Sequence, residues 1–128
     1  MVKKIINSNS APLPIGPYSQ AVMVNNTLYC SGQIAINPQT GELNIADIKS
    51  ETHQVMKNLK AVLTEAGLAF IDVVKCSIFL KNMDDFAEVN KIYGEYFERL
   101  FPARETIQVS KLPLNVNVEI SLIAVVTG

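Results

Sequence analysis

Residues 116–126 read VNVEISLIAVV, and the alternation in this stretch decides the fold. Val118, Ile120, Leu122, Ala124 and Val126 fill one face of a β-strand. Ile123 and Val125 make half of the other face apolar as well, alongside Asn117, Glu119 and Ser121. A strand apolar on one side needs one cover, whereas this strand needs two. The chain supplies two helices, enough for a single layer. The expected architecture is therefore an α+β domain with two helices on one face of a mixed sheet, and with another copy of the chain over the second face.

Working outward, Ile48, Val55, Leu59, Val62 and Ala66 recur at helical spacing and predict a helix over 48–66. Asp47 suits its start and Gly67 the position just past its end. A second helix is predicted over 84–100, with Phe86, Val89, Tyr93, Tyr96, Phe97 and Leu100 as its apolar stripe and Pro102 ending it. Between the two, DVVKCSIFLK (72–81) reads as a strand with Val74, Cys76, Ile78 and Leu80 on one face. KKIINS makes a short first strand, and AVMVNNTLYCSGQIAI (21–36) a hairpin about Asn25-Asn26. NPQTG (37–41) is a turn, and RETIQVSKL precedes the last strand. The proline-bearing segment NSAPLPIGPYSQ is expected to be extended and irregular.

With 128 residues, of which 48% are apolar and 18% charged, the chain reads as one domain spanning residues 1–128. The net charge is −1 and no Lys/Arg cluster occurs, which argues against a nucleic-acid partner. No long apolar run follows the basic start MVKK, so neither a signal peptide nor a membrane span is expected. Cys30 and Cys76 both fall in strand-like segments, and the expected compartment is the reducing cytoplasm.

Chemistry centres on FPARETIQVS (101–110), where Arg104, Thr106, Gln108 and Ser110 share a strand face. A guanidinium and a hydroxyl about 6.5–7 Å apart along a strand suit one carboxylate. The plainer alternative is a surface arginine paired with Glu105. Glu119 is costly inside a strand unless paired or wetted, so it either lines a pocket, where it could hold a water, or lies on a solvated face. Gly32 within CSGQ marks a bulge or the close approach of another group. Both cysteines read as small core residues. His53 reads as part of a solvated face with Lys57 and Lys60. A single histidine without an acidic cluster offers no metal site, and no GxSxG or glycine-rich phosphate loop occurs. The residues alone reach a pocket for a small carboxylated ligand, built from an arginine, a carboxylate and hydroxyls.

Several stretches together resemble the RidA/YjgF family of reactive imine/enamine deaminases. They are IGPYSQA (15–21), SGQIAINPQTGEL (31–43), NLKAVLTEAG (58–67), DVVKCSIFLKNMDDFAEVNKIYGEYF (72–97), PARETIQVSKLP (102–113) and VEISLIAV (118–125). The resemblance implies a chorismate-mutase-like two-layer fold with a mostly antiparallel mixed sheet. It also implies a homotrimer with its sheets in a central barrel and its sites between subunits. In such a site Arg104 grips the substrate carboxylate and Glu119 positions the attacking water. Tyr18, Ser31, Gly32 and Asn90 line the cleft. Thr106 stands where many members carry cysteine, and can still donate to a carboxylate. The implied activity is hydrolysis of 2-imino acids such as 2-iminobutanoate and 2-iminopropanoate to 2-oxo acids and ammonia, without a cofactor. A non-catalytic 2-oxo-acid-binding module is one alternative, and an RNA-directed ribonuclease or translation inhibitor another.

Overall fold

A computed structural model describes residues 2–126. Its elements run β1 (Lys3–Ile6), β2 (Ala21–Val24), β3 (Thr27–Gln33), α1 (Ile48–Glu65), β4 (Val73–Leu80), α2 (Phe86–Gly94), β5 (Ala103–Gln108) and β6 (Val118–Val125). The six strands form one open sheet in the order β1-β2-β3-β6-β4-β5. Only β4 and β5 run parallel, joined through α2, and every other pair is antiparallel. Both helices pack on one face of this sheet, as the two-layer reading expects.

Local chemistry accounts for α1. Asp47 is extended and its side chain accepts from the Ser50 N–H at 2.7 Å, satisfying one of the unpaired donors of the first turn. At the other end Gly67 takes φ +77°, a left-handed conformation that glycine adopts without a Cβ penalty. Gly67 N donates to Thr64 O and Leu68 N to Leu63 O, which closes a Schellman motif. Val55, Leu59, Val62 and Leu63 then bury completely against Leu28, Ile78, Ile120 and Ala124 of the sheet. Each such aliphatic side chain contributes roughly 1.5–3 kcal/mol by leaving water.

Two expectations change. The second helix ends at Gly94 rather than Leu100. Glycine is a weak helix former, and from Glu95 to Phe97 the N–H groups reach back only three residues. Phe97 stays in the core, but Leu100 adopts φ 56° and is 75% exposed, so it leaves the apolar stripe. In β4, Val73 pairs with Ala124 and Lys75 with Ile123, leaving Val74 as the extra residue of a bulge. The bulge turns Val74 outward, 47% exposed, while Val73 takes the buried position. A second bulge, the one that Gly32 marks, lies between Cys30 and Gln33 and leaves Gln33 buried opposite Ile120.

The helix-free face is covered at one end by a small second core of Ile34, Leu112 and Val116, with Phe79 and Val109 packed against it. The remainder of that face carries Tyr29, Ser77, Glu105, Ile107 and Ser121, all partly or largely exposed.

Candidate functional site

Arg104 follows Pro102 into the edge strand β5. It lies beside Cys76 of β4, and Thr106 beside Ile78, so both point to the helix-packed face. There α2 presents Phe86, Asn90 and Tyr93, spaced along one side of the helix. Arg104 Nη1 donates to Asn90 Oδ1 at 2.7 Å. The guanidinium carbon lies 5.1 Å from the Tyr93 ring centroid and 5.7 Å from that of Phe86. Among the described residues no carboxylate pairs with Arg104. Glu105 points to the other face, where it accepts from Lys75 Nζ at 2.5 Å and from the Ser77 hydroxyl. Those donors hold its carboxyl below the usual range, led by the lysine. The pairing of Arg104 with Glu105 entertained from sequence is therefore not formed. The Thr106 hydroxyl oxygen is buried without a hydrogen-bond partner among the described residues. A cleft of about 460 Å³ opens beside Arg104, lined also by Asn90, Tyr93, Gly94, Phe101 and Pro102.

Glu119 builds a separate site. It pairs across the ladder with Phe79 and lies on the helix-free face. Its carboxylate rests on the backbone of Gly32 in the β3 bulge. A Cβ at position 32 would collide with the carboxylate oxygen and stand 2.8 Å from Glu119 Cδ. The glycine thus marks both a bulge and a close approach. Half-burial pushes the Glu119 carboxyl pKa up, with no donor on it among the described residues to offset the lost hydration. Ser31 is fixed by its hydroxyl donating to Ser19 O at 2.6 Å. The preceding loop is held by buried Gln20, which accepts from Ser8 N at 2.6 Å and donates to Pro12 O at 2.9 Å. Tyr18 hangs from this loop, 49% exposed. Together these residues border a cavity of about 350 Å³ whose apolar walls include Leu13, Ile15, Ile34, Ile36 and Pro113.

The structure therefore sorts the seven site residues expected from sequence into two groups. Arg104, Asn90 and Thr106 belong to the helix-packed side, and Tyr18, Ser31, Gly32 and Glu119 to the other. Ladder register fixes this division, because Arg104 aligns with Cys76 and Leu122, whereas Glu119 aligns with Phe79 and Ile107. No described cavity is lined by both Arg104 and Glu119.

Three further residues have a place that the sequence did not reveal. Tyr93 reads from sequence as one member of an apolar stripe, with nothing to indicate a role at Arg104. Glu51 is fully buried in the first turn of α1, accepting from Asn117 N at 2.7 Å, Asn117 Nδ2 at 2.8 Å and Val118 N at 3.2 Å. His53 is half-buried instead of solvated, with Nδ1 2.8 Å from the Tyr96 hydroxyl. Cys30 and Cys76 are buried core residues as expected, and burial pushes the Cys30 thiol pKa up to about 12.

Comparison with known proteins supplies a framework for this arrangement. The family model described as Endoribonuclease L-PSP matches residues 8–126. A 2-iminobutanoate/2-iminopropanoate deaminase of Dermatophagoides farinae is 48% identical over 124 residues, covering 97% of each chain. A Yersinia pestis structure of the conserved Rid protein family superposes with a TM-score of 0.95 at 49% identity, over 98% of this chain and all of that one. E. coli TdcF, solved with bound serine, superposes with a TM-score of 0.93 at 38% identity, over 97% of this chain and 99% of that one.

Proposed function

The chain belongs to the Endoribonuclease L-PSP family, the family of the Rid and YjgF proteins, and from that premise we propose that it hydrolyses 2-imino acids to 2-oxo acids and ammonia. The observation that carries this reading is Arg104. Its guanidinium is held by an amide and two aromatic rings and has no carboxylate partner among the described residues. An unpaired planar fork is suited to a substrate carboxylate, with the Thr106 hydroxyl as an added donor.

The clamp orients the imine carbon and draws electron density from it. Glu119 takes a proton from water as the water oxygen bonds to that carbon. It returns the proton to nitrogen, and the tetrahedral carbinolamine collapses with loss of ammonia. Water and imino acid are consumed, and 2-oxo acid and ammonia are formed. The raised Glu119 pKa favours this exchange, because a carboxylate that has lost hydration is a stronger base toward the water. Ser31 and Gly32 border the same cavity, Tyr18 closes it against bulk water, and the apolar wall takes the alkyl side chain. No cofactor enters the scheme, since the imine is already electrophilic.

Because Arg104 and Glu119 lie on opposite faces of one sheet, the reading calls for Arg104 of one copy to meet Glu119 of another. The exposed Tyr29 and Ile107 on the helix-free face support such packing, and we propose a homotrimer with three sites between subunits. The D. farinae relative's name supports the substrate, and the serine in TdcF supports a carboxylate-bearing ligand. RNA cleavage, the chemistry in the family's description, finds less support in a chain of net charge −1 without a basic cluster. Arg104→Ala assayed on freshly generated 2-iminobutanoate tests the reading. Activity should fall at least about 100-fold, consistent with loss of a charged anchor. Undiminished turnover by an intact assembly would end it.

A further inference from the structure

We propose that Tyr93, with Phe86, is a positioning residue for Arg104. The two α2 rings hold the guanidinium plane so that its outer N–H edge is preset for a carboxylate. This inference rests on the carboxylate-clamp reading of Arg104.

An arginine that clamps a carboxylate needs its bidentate edge free. A guanidinium anchored by a carboxylate would spend its bidentate edge on the anchor. An aromatic face attracts the cation through its quadrupole and consumes no N–H donor. The guanidinium carbon lies 5.1 Å from the Tyr93 centroid and 5.7 Å from the Phe86 centroid, and Asn90 Oδ1 takes only Nη1. Positions 86, 90 and 93 fall on one side of α2, so a single helix face supplies the whole support.

The two rings differ in what fixes them. Tyr93 is 4% exposed and packs against Phe97 in a tilted arrangement at 4.9 Å between centroids, so its ring is immobilised by the core. Phe86 is 37% exposed at the start of α2. The Tyr93 hydroxyl is buried, with no partner in hydrogen-bonding geometry among the described residues, and it lies at the Cys76 thiol. It is therefore the ring of Tyr93 that serves Arg104, and the hydroxyl is dispensable to the support. A long flexible side chain loses rotamer freedom when it binds a ligand, and a preset one has already lost it.

The test uses the assembled full-length protein, with ¹⁵N relaxation at Arg104 Nε, affinity for 2-oxobutanoate, and kcat and KM on 2-iminobutanoate. Tyr93→Leu should lower the Arg104 Nε order parameter. It should weaken 2-oxobutanoate binding and raise KM by roughly tenfold, with kcat changed less than about twofold. Tyr93→Phe should keep all three readouts within about twofold of the native protein. Tyr93→Met, closer in volume, replaces the leucine variant if that one fails to assemble. Phe86→Leu, at a more exposed position, should shift the same readouts in the same direction and by less. An ordered Arg104 and native affinity in a folded Tyr93→Leu or Tyr93→Met would overturn the proposal. So would a Tyr93→Phe variant as impaired as the leucine one. If the native protein hydrolyses no imine, the function reading fails, while the relaxation arm still decides whether the rings order Arg104.

Discussion

Glu119 and Gly32 form a unit in which one residue exists for the other. The carboxylate occupies the space of a Cβ at position 32, so glycine there is a requirement of the site rather than a weakness of the strand. Half-burial without a donor raises the Glu119 pKa above its ordinary 4.5. A carboxyl whose pKa is higher folded than unfolded binds its proton more tightly in the folded state. Its contribution to stability is therefore greatest at low pH and is lost as pH rises from the ordinary value through the raised one. Glu119→Gln removes that penalty. Thermal melts should show the variant more stable than the native protein at pH 7, with the difference closing below pH about 4. In the same variant imine turnover should fall roughly 100-fold or more, as expected for loss of a general base. Native turnover should fall with decreasing pH as Glu119 protonates, with the midpoint above the ordinary carboxylate value.

At the scale of elements, the most consequential contact absent from any sequence pattern joins α1 to the start of β6. Glu51 lies fully buried and accepts three hydrogen bonds from Asn117 and Val118. Buried donors left unpaired cost about 1–3 kcal/mol each before relaxation. Glu51→Ala should destabilise the fold by about 3 kcal/mol in urea unfolding, since water can reach part of the gap it leaves. Position 119 follows directly on this anchor, so turnover should fall as well. The bounds of α1 were legible because its own residues end it, Asp47 through its side chain and Gly67 through its φ of +77°. The end of α2 was not. The apolar stripe continues past Gly94, but Phe97 reaches the core through ring packing and Leu100 points to solvent.

For the whole molecule, the separation of Arg104 and Glu119 makes a prediction about assembly. If each site takes Arg104 from one copy and Glu119 from the next, two inactive variants can complement each other. Arg104→Ala and Glu119→Gln, unfolded together and reassembled in equal amounts, should recover about one quarter of native activity, because random mixing makes that share of sites intact on both sides. The mass of the assembly by sedimentation serves as the control. Mixtures no more active than either variant alone would show that no site combines Arg104 of one copy with Glu119 of another.

The sequence by itself determined which side chains share a face within the bulge-free strands β5 and β6, where α1 begins and ends, and that the helices could cover only one side of the sheet. It also singled out Arg104 and Glu119 as the residues with chemistry to offer. Only the tertiary structure decided that these two lie on opposite faces. Alternation fixes parity along one strand, but relative parity between strands depends on pairing register, and β5 reaches β6 only through β4. Single-residue bulges at Val74 and around Gly32 reset that parity again, through backbone geometry that alternation alone does not reveal. The support of Arg104 by Tyr93 was hidden for the same reason. A ring in an apolar stripe reads as core, and only the parallel pairing of β5 with β4, on the face that α2 covers, sets a cation against it.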